Sequence, residues 1–145
     1  MKIIGVIPVR MGSSRFPGKP LFTIAGMPML EHVWHRANMY SFWDELFLAT
    51  CDQEIQEFAN LKNIPCIMTS DKHERALDRV AEAVGKSNVQ INDDDIVLNV
   101  QGDEPMMRPD MIAATVKPLI EDYQVNGVVL SMPIVEEEQF HDPNT

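Results

Sequence analysis

The sequence predicts an α/β domain built on a doubly wound, mostly parallel sheet, from three observations. Apolar β-type runs alternate with amphipathic helical patterns along the chain, with no internal repeat or low-complexity linker. The order strand, helix, strand, helix requires parallel strands joined by crossover helices. The first run, rich in Ile and Val, is continuous rather than alternating, as a strand covered on both faces is.

The elements follow in chain order. KIIGVIPV (2–9) is a buried strand, too short for a signal peptide and running straight into the fold pattern. PMLEHVWHRANMY (28–40) puts Met29, Leu30, Val33, Trp34 and Ala37 on one helical face. ELFLAT (45–50) is a second strand, and DQEIQEFANLK (52–62) a helix opened by an Asp52 cap. IPCIMTS (64–70) is a third strand, ERALDRVAEAVGK (74–86) a helix, and DIVLNV (95–100) a fourth strand. PDMIAATVKPLIEDY (109–123) starts on a first-turn proline and is expected to kink at Pro118. NGVVLSMPI (126–134) reads as a fifth strand. The end, HDPNT, follows an acidic run without a closing helix or strand, which suggests the N-terminal portion of a longer domain, with a small complete domain as the alternative.

The totals narrow the function classes. The chain has 145 residues, 45% of them hydrophobic and 23% charged, the size and composition of one domain with a real core. A net charge of −10 argues against nucleic acid, whose phosphates need basic clusters. No apolar stretch approaches the roughly 18 to 20 residues of a membrane helix. Cys51 and Cys66 lack CxxC spacing and read as buried thiols of a cytoplasmic protein. Against the general negative charge, the loop after the first strand is locally basic, which suits a small anionic ligand.

In sheets of this kind ligands bind at the carboxyl ends of the strands, near a switch in strand order. That directs attention to the loops after the first and fourth strands, RMGSSRFPGKP (10–20) and QGDEP (101–105). In the first, Gly12, Gly18, Ser13 and Ser14 let backbone amides approach an anion, and Arg10, Arg15 and Lys19 supply cations for a polyphosphate. It is not a P-loop: five residues separate Gly12 from Gly18, and Lys19 precedes Pro20 rather than Ser or Thr. It lacks GxGxxG as well. In the second loop, Asp103 and Glu104 lie just past the strand end, where a carboxylate can hold a hard cation such as Mg²⁺; Gln101 can both donate to and accept from a ligand, and Gly102 permits a sharp turn. Cations for a polyphosphate, and a carboxylate for its metal, at one sheet edge are the chemistry of nucleotidyl transfer.

RMGSSRFPGKP followed by PML and a helix, then LATCD, then NVQGDEP, resembles the sugar-activating cytidylyltransferases, closest to those that make the CMP ester of 3-deoxy-manno-octulosonate (Kdo) for lipopolysaccharide. The resemblance covers essentially all 145 residues, but members are substantially longer. It implies a Rossmann-like nucleotide-diphospho-sugar transferase fold, with residues 1–145 the nucleotide-binding part of a cytidylyltransferase domain that is incomplete at its C-terminus. It also implies transfer of CMP from CTP to an acidic sugar with release of pyrophosphate, Mg²⁺ dependence, and a homodimer in full length. Residue by residue, Arg10, Gly12, Ser13, Arg15, Lys19 and Gln101 would bind the nucleotide, with Arg15 and Lys19 acting on its phosphates. Arg79 and Gln101 would bind the sugar, and Asp103 the metal. One segment departs: the Kdo enzymes carry SGTER where this chain has RALDR (75–79), keeping Arg79 but replacing a small hydroxyl-bearing turn with helix formers. The alternatives are a cytidylyltransferase for another acidic sugar, such as a nonulosonate, and a non-catalytic nucleotide-binding domain of the same fold.

Other residues read as ordinary. His32 and His35 suit surface or packing roles; His73, just before RALDR, reads as a helix-start surface residue, with ligand contact as the alternative. Asp93, Asp94 and Asp95, like Glu136, Glu137 and Glu138, read as solvated runs, and most of the ten methionines as core filler.

Overall fold

The computed structural model describes residues 1–13, 15–131 and 133–142. The readings placed on Ser14, on Met132 and on the terminal residues 143–145 lie outside the described residues. Four parallel strands form the sheet in the order β5 (Cys66–Met68), β4 (Glu45–Thr50), β1 (Ile3–Pro8), β6 (Ile96–Asn99). All six residues of β1 are buried, because it lies between two strands with helices over both faces.

Two cores account for the double winding. On one face Leu30, Val33 and Ala37 of α1 (Met29–Asn38), Ile55 and Ala59 of α2 (Gln53–Leu61), and Ile112 and Val116 of α4 (Pro109–Glu121) pack with Ile7, Leu48 and Leu98 of the sheet. On the other, Val80 and Ala83 of α3 (Ala76–Lys86) cover Ile4, Val6, Phe47 and Ala49. Successive strand residues point to opposite faces, so the continuous run IIGVI supplies both cores. The elements predicted up to residue 123 are present, one or two residues shorter at several ends, and α4 continues through Pro118, which has no N–H to give the Ala114 carbonyl.

Several expectations change. The described residues between 126 and 134 form no strand. An apolar run records a preference for a half-buried pleated surface, and here Val129 stays 88% exposed, with no such surface covering it among the described residues. A hairpin absent from the sequence reading joins β2 (Thr23–Ile24) to β3 (Met27–Pro28); Ala25 and Gly26 turn it with positive φ of 50° and 84°. His32 donates from Nε2 to the Ile24 carbonyl at 2.7 Å, a packing role as expected. Asp95 is no solvated residue: its carboxylate is almost fully covered and accepts the Asn92 and Lys2 N–H groups, which lower its pKa. Both cysteines are free thiols but only half-buried, and burial pushes the Cys66 thiol up to about 11. A short exposed helix, α5 (Glu137–His141), contains two of the three terminal glutamates. Among the described residues no helix is long and apolar enough to cross a membrane.

Candidate active site

β1 and β6 are neighbours, yet the chain leaves β1 toward β4 on one side and enters β6 from α3 on the other. Their carboxyl ends therefore frame the crevice where strand order reverses. The register sets Val6 beside Asn99, and the Val100 amide donates to the Val6 carbonyl at 2.8 Å. Both loops singled out in the sequence thus emerge side by side. A cleft of about 610 Å³ opens between them, and every expected site residue lines it: Arg10, Gly12, Ser13, Arg15 and Lys19 on one lip, Gln101 and Asp103 on the other, and Arg79 in the wall from α3.

The first lip is held by its own backbone. The Gly18 amide, at a positive φ of 76° that favours glycine, donates to the Met11 carbonyl at 3.0 Å and closes the loop. Ser13 Oγ accepts the Phe16 amide at 3.2 Å, so this hydroxyl shapes the loop. Phe16 and Phe22 meet edge to face at 5.2 Å. Among the described residues, a side chain at Gly12 would meet nothing within 4 Å, so its absence leaves cleft space open. Lys19 begins a short 3-10 turn, Lys19–Leu21, and buried Pro20 fixes it.

Lys19 Nζ reaches across the cleft to Asp103 Oδ2 at 2.9 Å. The two side chains are 38% and 55% exposed, so the pair contributes at most about 1 kcal/mol. A ligand that engages both groups separates them at little cost. Gly102 serves a purpose other than the one expected of it: a Cβ there would lie 2.5 Å from the Pro8 carbonyl oxygen, and its φ is not in the left-handed region. Its value is close approach of the two loops rather than turn freedom.

Arg79 lines the cleft from α3. It is 3% exposed, and Nη1 donates to Thr69 Oγ1 and to the Ser70 carbonyl. Its guanidinium ties the helix start to the end of β5 and borders the cleft from behind. Of the two readings of His73, the structure favours the one beside the ligand space: it lines the cleft and donates from Nε2 to Glu82. Glu82 accepts the Ser70 amide with both oxygens, at 2.9 and 3.1 Å, and pairs with Lys86 at 2.6 Å. Hydrogen bonds from Lys86, then from the Ser70 amide and His73, hold its carboxyl at about 2, below its ordinary 4.5. Sequence reading missed this cluster, although Arg79, Glu82 and Lys86 recur at helical spacing on α3.

A pH dependence follows. A depressed folded pKa means that Glu82 contributes its stabilisation above pH 4.5 and loses it as pH falls toward 2. Tethering of the 69–73 segment is expected to weaken across that window, and Glu82→Gln to flatten the dependence. Amide exchange at Ser70 against pH measures it; an unchanged profile in the variant would remove Glu82 as the cause.

Asp103, the carboxylate expected to hold a cation, lines the cleft, as does Glu74. Among the described residues no group of three or more His, Cys, Asp or Glu side chains converges on a common point. This donor set suits a hard ion that takes one protein carboxylate and completes its shell with water and ligand phosphate oxygens.

A family model described as cytidylyltransferase matches residues 4–145. A curated 3-deoxy-manno-octulosonate cytidylyltransferase of Oleidesulfovibrio alaskensis is 44% identical over 130 residues, 90% of this chain and 51% of the relative. That of Syntrophus aciditrophicus is 41% identical over 143 residues, 99% of this chain and 57% of the relative. A solved structure of CMP:2-keto-3-deoxy-manno-octonic acid synthetase complexed with CTP superposes with a TM-score of 0.78 at 37% identity, over 86% of this chain and 50% of that one. A cytidylyltransferase from Leptospira borgpetersenii, 21% identical with a TM-score of 0.69 over 84% of this chain and 50% of its own, shares the fold. The chain spans about half the length of the curated relatives it matches.

Proposed function

The chain belongs to the cytidylyltransferase family, a family of nucleotidyltransferases, and on that premise we propose that it forms the CTP-binding part of an enzyme that transfers CMP to Kdo or a closely related acidic sugar and releases pyrophosphate. The observation that carries this reading is the contact between Lys19 and Asp103, which joins the two motifs across one cleft at the switch point. The printed names of the relatives support Kdo as the acceptor and CTP as the donor.

In this reading Arg10, Gly12, Ser13, Arg15 and Lys19 receive the triphosphate, and Gln101 turns toward nucleotide and sugar. The anomeric hydroxyl of the sugar attacks the α-phosphorus, a P–O bond to the sugar forms, and the bond to pyrophosphate breaks. No covalent enzyme intermediate is needed: the cationic lip aligns the phosphates and offsets the charge that develops on them. Asp103 would hold a Mg²⁺ ion, which when bound adds positive charge beside the phosphates. Arg79 acts on the sugar through the wall it fixes. The full-length protein is taken to be a cytoplasmic homodimer.

The test is pyrophosphate release from CTP, Mg²⁺ and a panel of acidic sugars, measured on this chain and on any longer product of its gene. Release with Kdo is expected. Turnover of a sialic acid but not of Kdo would overturn the sugar assignment, and CTP binding without release from any sugar would overturn the catalytic one.

A further inference from the structure

LATCD reads as a strand end followed by a helix cap, and the structure gives its aspartate other work. Asp52 occupies the N-cap position of α2 with suitable extended backbone (φ −100°, ψ 125°), yet its side chain caps nothing. A capping aspartate accepts an amide from the first turn of its own helix. Here Oδ2 instead accepts the Met11 amide at 2.7 Å, across 41 residues of sequence, and the Cys51 thiol approaches the same oxygen at 3.8 Å. Asp52 is anchored in turn: its own N–H donates at 3.1 Å to Oγ1 of Thr50, which is fully buried at the end of β4.

Met11 is where the basic loop is tied at both ends. Its amide goes to Asp52, and its carbonyl accepts the Gly18 amide. Between these ties the loop carries Arg15, with Arg10 and Lys19 just outside them, so like charges are crowded on one short segment. We infer that Asp52 is a positioning residue for the phosphate loop, holding the cationic lip in its ligand-ready shape from outside the cleft. It rests on reading that loop as the CTP phosphate cradle. Asp52 does not line the cleft, so its effect passes through the Met11 amide. A carboxylate suits this task because a charge-assisted bond is stronger than a neutral one. Without it the lip must be ordered when the ligand binds, and that cost falls on affinity rather than on the chemical step.

The experiment compares wild type, Asp52→Ala and Asp52→Asn, in this chain and in any longer product of its gene. CTP affinity is read by calorimetry well below the unfolding temperature, and Met11 amide exchange by NMR. The alanine variant is expected to bind CTP about tenfold more weakly, the scale of one lost hydrogen bond from a charged group, with a faster-exchanging Met11 amide. The asparagine variant, which keeps an acceptor oxygen, is expected to stay within about threefold of wild type. In the longer product KM for CTP rises while kcat holds. Helix capping alone would lower thermal stability and leave affinity untouched. Wild-type affinity in a folded Asp52→Ala, or a Met11 amide still protected there, overturns the inference. A wild type that binds no CTP overturns the nucleotide reading beneath it, a distinguishable result.

Discussion

Lys19→Ala is expected to lower pyrophosphate release from CTP and the acidic sugar by roughly a hundredfold or more, with the fold intact. The magnitude is that of removing one preorganised donor aimed at developing charge. Lys19 is unusually well placed for the role. The left-handed Gly18 before it and buried Pro20 after it fix its backbone, and its amide donates to the Phe16 carbonyl at 3.3 Å. Its ammonium already lies at the mouth of the cleft, held by Asp103 at 2.9 Å. The side chain is partly exposed and takes part in neither core, so stability is expected to stay within about 0.5 kcal/mol of wild type. Single-turnover pyrophosphate release with a thermal melt separates rate from stability. A near-normal rate in a folded variant would take the phosphate role away from this lysine, and with it the assignment of the opening loop.

The layered fold was legible because each buried strand advertises itself. IIGVI and LFLA are apolar on both faces, and helices with one apolar stripe lie between them. The site was legible because fold topology and charge agree: the two loops richest in chemistry are the two that the switch-point rule selects. What stayed hidden depends on pairing partners that spacing does not encode. Asp52 looks like a cap at every level of the sequence, and only the proximity of β4 to β1 brings Met11 within its reach. Arg79 matches a family position, yet its burial turns it toward Thr69 and Ser70. The 126–134 segment has the composition of a strand, but composition cannot supply the neighbour that a strand needs.

Gly102→Ala is the second large effect expected, and it tests why the second motif contains a glycine at all. A methyl group there would sit 2.5 Å from the Pro8 carbonyl oxygen and 3.4 Å from Val9 Cβ. The obstacle is backbone at the end of the central strand, paired in register with Ala49 on one side and carrying β6 on the other. Neither neighbour can rotate away, so the loop after β6 must retreat. Overpacking of this kind costs about 1–3 kcal/mol. The retreat also carries Asp103 away from Lys19, and a misplacement on the order of 1 Å at a reacting centre is enough to cost up to about a hundredfold in rate. Gly12→Ala supplies the contrast: among the described residues its Cβ meets nothing within 4 Å, and its φ is not left-handed, so stability should hold within about 0.5 kcal/mol. Urea unfolding of both variants, with pyrophosphate release, decides the matter. If Gly102→Ala proved as stable and active as wild type, contact between the loops would not be what positions Asp103. Loss of both stability and rate at Gly102, with stability kept at Gly12, would mean that one glycine fits the loops together and the other leaves room for what they hold.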